Sequence, residues 1–263
     1  MGQRVKTKRF AAWAVLASLL ATPVYASQDR ANVDPIDPLK PDQTVAWKAT
    51  LGSYRDSITK TTATDVNLRG NTQDTKFWVG YYQDQDNFTQ SRAGVEQTTS
   101  LASYGQLISS LQVASGGFLG GSITWDGKQD NVDGFSPLLG WGRTNVKTYY
   151  NLNFDPNDSV LWGGTYSQRQ MGQLSLYQIF DDRLKTGQRV THLAWRGTLP
   201  NAMGLMVDAF GRSGASDVGE PKVKGNGLSV TLDVRDYFVR VVYDQKANFT
   251  DANMTRLSVG FRF

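Results

Sequence analysis

The sequence predicts an all-β fold, a transmembrane antiparallel up-and-down β-barrel of about twelve strands, or fourteen if Thr64–Arg69 also pairs. Three observations lead there. Short segments in which apolar and polar residues alternate follow one another from Thr44 to Phe263. Beyond residue 26 no stretch stays apolar for the roughly 18 residues of a membrane helix. The 26 glycines, 7 Trp, 11 Tyr and 12 Phe suit a barrel with aromatic girdles. A chain that crosses lipid without helices must close its sheet, because lipid offers no partner to an unpaired N–H or C=O.

The chain opens with Arg4, Lys6, Lys8 and Arg9, then the apolar run Phe10 to Leu20, then Val24-Tyr25-Ala26. A basic start, a short apolar run and small residues at the end read as a signal peptide over residues 1–26, cleaved after Ala26. The alternative, a membrane anchor, needs roughly 20 apolar residues, and this run is shorter. Residues 1–26 hold four of the 28 basic residues and none of the 24 acidic ones, so the mature chain is formally neutral. The basic balance therefore belongs to the targeting segment, and nucleic acid is not an expected partner. With no cysteine there is no disulfide framework, and no metal-ligand spacing or phosphate-binding glycine motif is present; no cofactor is expected. Residues 27–43 carry Pro35, Pro38 and Pro41 among polar residues and read as a periplasmic tail, leaving residues 44–263 for the barrel.

Each strand is justified by its period-two pattern, since successive side chains point to opposite faces. Thr44–Arg55 places Trp47, Ala49 and Leu51 on one face, and the polar stretch Ser57–Thr75 reads as a long loop. Lys76–Gln83, Thr89–Thr98, Ser103–Val113 and Phe118–Trp125 follow. Leu138–Phe154 reads as a strand with Val146, Thr148, Tyr150, Leu152 and Phe154 outward, ending at an Asp155-Pro156-Asn157-Asp158 turn. Val160–Phe180 splits at Met171-Gly172 in a naive count of thirteen; an even number, with both ends on one side, makes it one long strand. Arg189–Leu199, Gly204–Gly211, Leu228–Arg235 and Tyr237–Asp244 complete the series before the last strand. In this scheme long loops fall at 56–75, 128–137, 181–187 and 213–226 on the outer side. Tight turns near Asp86, Gly116, Pro156, Pro200 and Asp236 fall on the periplasmic side.

In the final strand Leu257, Val259, Phe261 and Phe263 share one face, with Arg256, Ser258, Gly260 and Arg262 on the other. This apolar-out segment with a terminal aromatic resembles the closing strand of Gram-negative outer-membrane β-barrel proteins of the small, porin-like class. The resemblance implies an outer-membrane location, lipid around the barrel, and recognition of Leu257, Val259, Phe261 and Phe263 by the barrel-assembly machinery.

If the apolar face meets lipid, the other face lines the interior. That places Arg92, Lys147, Arg196, Arg235, Arg240, Arg256 and Arg262 inside, together with Glu96, Asp208, Asp233, Asp244 and His192. Two readings stay open: an ion-pair mesh that plugs the barrel, or a narrow pore whose basic excess favours anions. His192, the lone histidine, is read first as a wall residue. A hydrolase would need a nucleophile; outer-membrane phospholipases and deacylases resemble one another in placing Ser two residues after the histidine, where this chain has Ala194. Asp181-Asp182, near the outer rim, leaves a protease-like arrangement as a remote alternative. No catalytic residue is assigned. The expected function is passage or export of a small hydrophilic solute, anionic or saccharide-like; the alternative is a non-conducting structural or surface-display barrel.

Overall fold

The computed structural model describes residues 44–86, 88–128, 133–147, 149–150 and 155–263, with Leu20 and Ala21. The expected periplasmic tail and, apart from those two residues, the expected signal peptide lie outside the described residues. Leu20–Ala21 pairs in parallel with Tyr149–Tyr150, apart from the main sheet.

The main sheet is a closed barrel. Its strands, in chain order, are β1 (Ala46–Asp56), β2 (Thr62–Asn71), β3 (Thr75–Gln83), β4 (Thr89–Ser100), β5 (Gln106–Ala114), β6 (Phe118–Asp126) and β7 (Gly134–Thr144). Then come β8 (Ser159–Gln168), β9 (Gly172–Asp181), β10 (Arg189–Leu199), β11 (Met203–Gly214), β12 (Val223–Val234), β13 (Tyr237–Asp244) and β14 (Met254–Arg262). Each strand pairs antiparallel with the next, and β14 closes on β1 through Arg262↔Lys48 and Val259↔Leu51. Trp47 and Phe263 exchange backbone hydrogen bonds of 3.0 Å each, so the seam is paired beyond the last assigned strand residue. Closure leaves no open sheet edge, as an apolar surround demands. No helix among the described residues is long and apolar enough to cross a membrane.

The alternation fixes which face looks out. The registered row Val259, Leu51, Val66 and Tyr81 crosses four adjacent strands with every side chain exposed. Their opposite-parity neighbours Ser258, Asp65 and Tyr82 are buried. A slip of one residue would exchange these sets, so register and apolar pattern enforce one another. Aromatic rings gather on the outside at the end carrying Ala46 and Arg262: Trp47 meets Phe77 at 5.4 Å and Tyr237 meets Phe261 at 5.0 Å. Inside, rings of Trp78 and Phe238 lie across Gly94 and Gly260 of the neighbouring strand; a Cβ at either glycine would collide with the ring.

Three expectations about the strands are corrected. Residues 62–71 are a strand and not a loop: Val66 and Leu68 look out while Asp65, Asn67 and Arg69 lie on the opposite parity. Val160–Phe180 is a hairpin of two strands, with Gly172 at φ +87° in its turn and Met171 donating its N–H to the Gln168 carbonyl at 3.1 Å. Leu138–Phe154 is not one strand, because β7 ends at Thr144 and Val146 turns to φ +57°; residues 148 and 151–154 lie outside the described residues. The strand count is thus fourteen, the alternative expected if Thr64–Arg69 pairs, as it does with β1 and β3. The two strands absent from the twelve-strand scheme lie on either side of β3–β7, so the connections between them change ends. The described residues 84–86, 88, 115–117, 145–147, 149–150 and 155–158 lie at the end opposite Ala46 and Arg262, and residues 127, 128 and 133 lie at the same end as those two.

Candidate functional site: the inner wall

Because strand parity sends alternate residues inward, the inner wall collects the polar face of every strand, and it divides into two sectors. Across β1 to β4 and β11 to β14 it is ionic. Arg92 on β4 pairs with Asp65 on β2, both buried. Lys76 pairs with Glu96 at 2.9 Å, Arg212 with Asp244 at 2.7 Å, and Arg262 with Asp233 at 2.5 Å. Each joins different strands, so the pairs brace the wall circumferentially as well as neutralise charge. Removing charges from water is costly, and such pairs persist only with close partners. Arg240 donates to the Thr231 hydroxyl at 2.9 Å, and Arg256 lies 5.6 Å from the Tyr54 ring. Arg262, Lys48 and Arg69 stand in direct cross-strand register on β14, β1 and β2, forming a basic row on the inward parity near the end carrying the strand termini. Lys48 and Arg262 share the Phe238 ring, at 4.0 and 5.5 Å.

From β7 to β11 the inner wall also carries an apolar cluster. Leu138, Leu161, Tyr177, Ile179, Ala194 and Met206 form one buried cluster. Beside it sits His192, whose Nδ1 lies 3.0 Å from an Asp208 carboxylate oxygen and whose Nε2 lies 3.3 Å from Asp155. The imidazole stacks on Tyr177 with centroids 4.7 Å apart and planes 3° from parallel.

Asp155 belongs to the connection between β7 and β8, and that connection turns into the barrel. Asp155, Pro156, Asn157 and Asp158 are all buried. Tyr149 packs on Phe118 at 4.4 Å and donates its hydroxyl to Gln112 at 3.3 Å. The neck of the segment closes where Asp158 accepts the Thr144 hydroxyl at 2.6 Å and pairs with Arg183 at 2.7 Å. Sequence alone suggests a turn here, but the proline and the three polar side chains lie buried inward rather than in solvent. A second connection also turns in: Phe249, between β13 and β14, is buried against Val190, Phe210 and Val242, with Arg212 5.4 Å from its ring.

Of the residues placed inside from sequence, Arg92, Glu96, His192, Arg196, Asp208, Asp233, Arg240, Asp244, Arg256 and Arg262 fall on inward positions of their strands. Two assignments are corrected. Lys147 is exposed in the β7–β8 connection, because the strand stops before it. Arg235 is exposed at φ +55° in the two-residue β12–β13 turn, one residue beyond the alternating run. The sequence reading omits Lys48, Asp65, Arg69, Lys76, Asp155 and Arg212. Parity carries a signal for most: Lys48 follows from Trp47 outward, Asp65 and Arg69 from Val66 and Leu68, and Arg212 from Asp208 through Phe210. Leu257, Val259, Phe261 and Phe263 are exposed on the outer wall.

Catalytic geometry does not assemble around His192. Both ring nitrogens face carboxylates, leaving neither turned to a hydroxyl, and Ala194 occupies the next inward position. Asp181 caps its own loop, accepting backbone N–H groups from Arg183 at 2.9 Å, Leu184 at 2.7 Å and Thr186 at 2.9 Å. Asp182 is held bidentate by Arg143 at 2.6 and 3.0 Å. Among the described residues no cluster of His, Asp and Glu could hold a metal ion.

No family model matches the sequence, and no curated protein matches it. Solved structures do match in shape. The outer membrane protein Omp33 of Acinetobacter baumannii superposes with a TM-score of 0.53 at 11% identity, over 84% of this chain and 100% of that one. The NanC porin gives 0.45 at 9% identity over 81% and 98%, and an engineered Rh. blastica porin 0.47 at 11% over 83% and 99%. The likeness to Omp33 is one of fold, that of a closed antiparallel β-barrel.

Proposed function

We propose that the barrel is a narrow outer-membrane channel for a small hydrophilic solute, anionic or saccharide-like. The observation that carries this reading is the inner wall. Barrel diameter grows with strand number, and about eight strands already make an interior that side chains alone can fill. Fourteen strands enclose more, and here they surround a wall of polar and charged groups. The inward-turning segment between β7 and β8 narrows that interior from one side. On the other side the registered row Arg262–Lys48–Arg69, with Arg262 held by Asp233, lines the interior with basic groups, and a low-dielectric wall focuses the field of such groups.

Single-channel recording in planar bilayers under a salt gradient tests the reading. Steady ohmic steps with a reversal potential on the anion side are expected. Lys48→Glu with Arg69→Glu should move that potential toward the cation side with little change in unit conductance. Silence in the bilayer would favour a barrel closed by its own ion pairs and inserted segment, and an unchanged reversal potential would remove the basic row from the pathway.

A further inference from the structure

One part of the outer wall does not fit a surface that only meets hydrocarbon. Near the end of the barrel opposite Ala46 and Arg262, Arg189 on β10, Ser213 on β11 and Lys224 on β12 stand in one cross-strand row. The next row is Thr191, Gly211 and Asn226, again all on outward positions. Gly211 has no side chain, so the two rows surround a shallow concavity of about 390 Å³, lined by Arg189, Thr191, Ser213, Lys224, Asn226 and Gln245 among others. Arg189 and Lys224 are both exposed, and among the described residues neither is held in an ion pair. Two strand spacings, about 10 Å, separate their backbones, and both side chains are long enough to converge over Ser213.

The row immediately below is apolar: Leu193, Ala209 and Leu228, with Leu193 49% and Leu228 47% exposed. Polar and apolar surfaces therefore meet between successive outward positions, two residues apart, along three adjacent strands. A ligand that satisfies both must be an amphiphile, with its anionic group at the cations and its chains on the leucines. Guanidinium and ammonium groups favour phosphate. The Thr191 and Ser213 hydroxyls and the Asn226 amide add neutral hydrogen-bonding groups of the kind that suit sugar hydroxyls. We propose that this patch is a binding site for a phosphorylated glycolipid, with phosphate held between Arg189 and Lys224, sugar over Gly211, and acyl chains along Leu193 and Leu228. Other outward cations near this end lack the arrangement. Arg143 is engaged by Asp182, and Arg55 stands between Thr62 and Thr255 with no second cation in its row. The site faces away from the lumen, so it stands or falls independently of conduction.

The test is a titration of the purified barrel, in a neutral detergent, with diphosphorylated lipid A, read by native mass spectrometry. Phosphatidylethanolamine and inorganic phosphate serve as comparison ligands. Each basic group near an anionic headgroup contributes roughly a fivefold factor, so Arg189→Ala with Lys224→Ala should weaken lipid A binding about 25-fold. Arg55→Ala should leave it within about twofold, as expected for a screened, isolated charge. Heat-dependent gel migration verifies that each variant still forms a closed barrel. Three results would overturn the proposal: undiminished lipid A binding by the double variant, an equal loss from Arg55→Ala, or inorganic phosphate bound as tightly as the lipid.

Discussion

The two halves of the inner wall solve the same problem by different means. The ionic half, β11 to β14 continuing into β1 to β4, holds its charges in cross-strand pairs such as Arg92–Asp65, Lys76–Glu96 and Arg262–Asp233. The other half, β7 to β11, packs Leu138, Leu161, Tyr177 and Ile179 against one another and sets His192 between the carboxylates of Asp208 and Asp155. Only the second half receives the end of the inward-turning segment: Asp155 reaches across to His192. The difference teaches a division of labour. An apolar wall gives a chain segment something to pack on, while a charged wall stays compatible with water and ions.

Breaking the apolar half should have the largest effect. Replacing residues 145–158 by a short Gly-Ser turn removes Tyr149 from Phe118 and Asp155 from His192; single-channel conductance should rise several-fold while the barrel still folds. Breaking the ionic half should act on stability before conductance. Arg92→Ala leaves Asp65 buried without its partner, at a cost of about 3–5 kcal/mol, read as a lower urea midpoint for unfolding in detergent. Asp65→Asn together with Arg92→Gln should recover much of that loss, because no lone buried charge remains. His192→Ala is the milder intervention. It frees Asp155 but leaves the Asp158–Thr144–Arg183 neck intact, so mean conductance should change little while open-channel noise grows. If His192→Ala matched the deletion in conductance, the neck would not be holding the segment.

Much of the fold was legible because apolar and polar residues alternate along most of its strands. The outward faces of β1, β3, β4, β6, β8 and β10 to β14 follow from parity alone. Two strands escaped for opposite reasons. In β2 the outward positions include Thr62 and Thr64, leaving only Val66 and Leu68 to carry the apolar signal. The β8–β9 hairpin was hidden by applying the evenness rule to the wrong place: joining the hairpin satisfied it, and so does adding β2. Gly172, at φ +87°, carried the local turn signal. The inward turn of Tyr149 and of residues 155–158 had no such sign. Alternation continues past Thr144 in Val146, Thr148 and Tyr150, and only the partners Gln112, Phe118 and His192, distant in sequence, draw the segment inside. For the same reason the inner-wall residues on strands were readable, whereas Asp155, which acts from a connection, was not.

The most direct measurement uses the absence of native cysteine. Lys48→Cys and Leu51→Cys place single thiols three residues apart on β1, on the inner and outer walls respectively. During single-channel recording, a charged, water-soluble thiol reagent should lower the current of Lys48→Cys in discrete steps and leave Leu51→Cys unchanged. Current that is insensitive at Lys48→Cys but blocked at Leu51→Cys would show that ions do not travel along the wall described above.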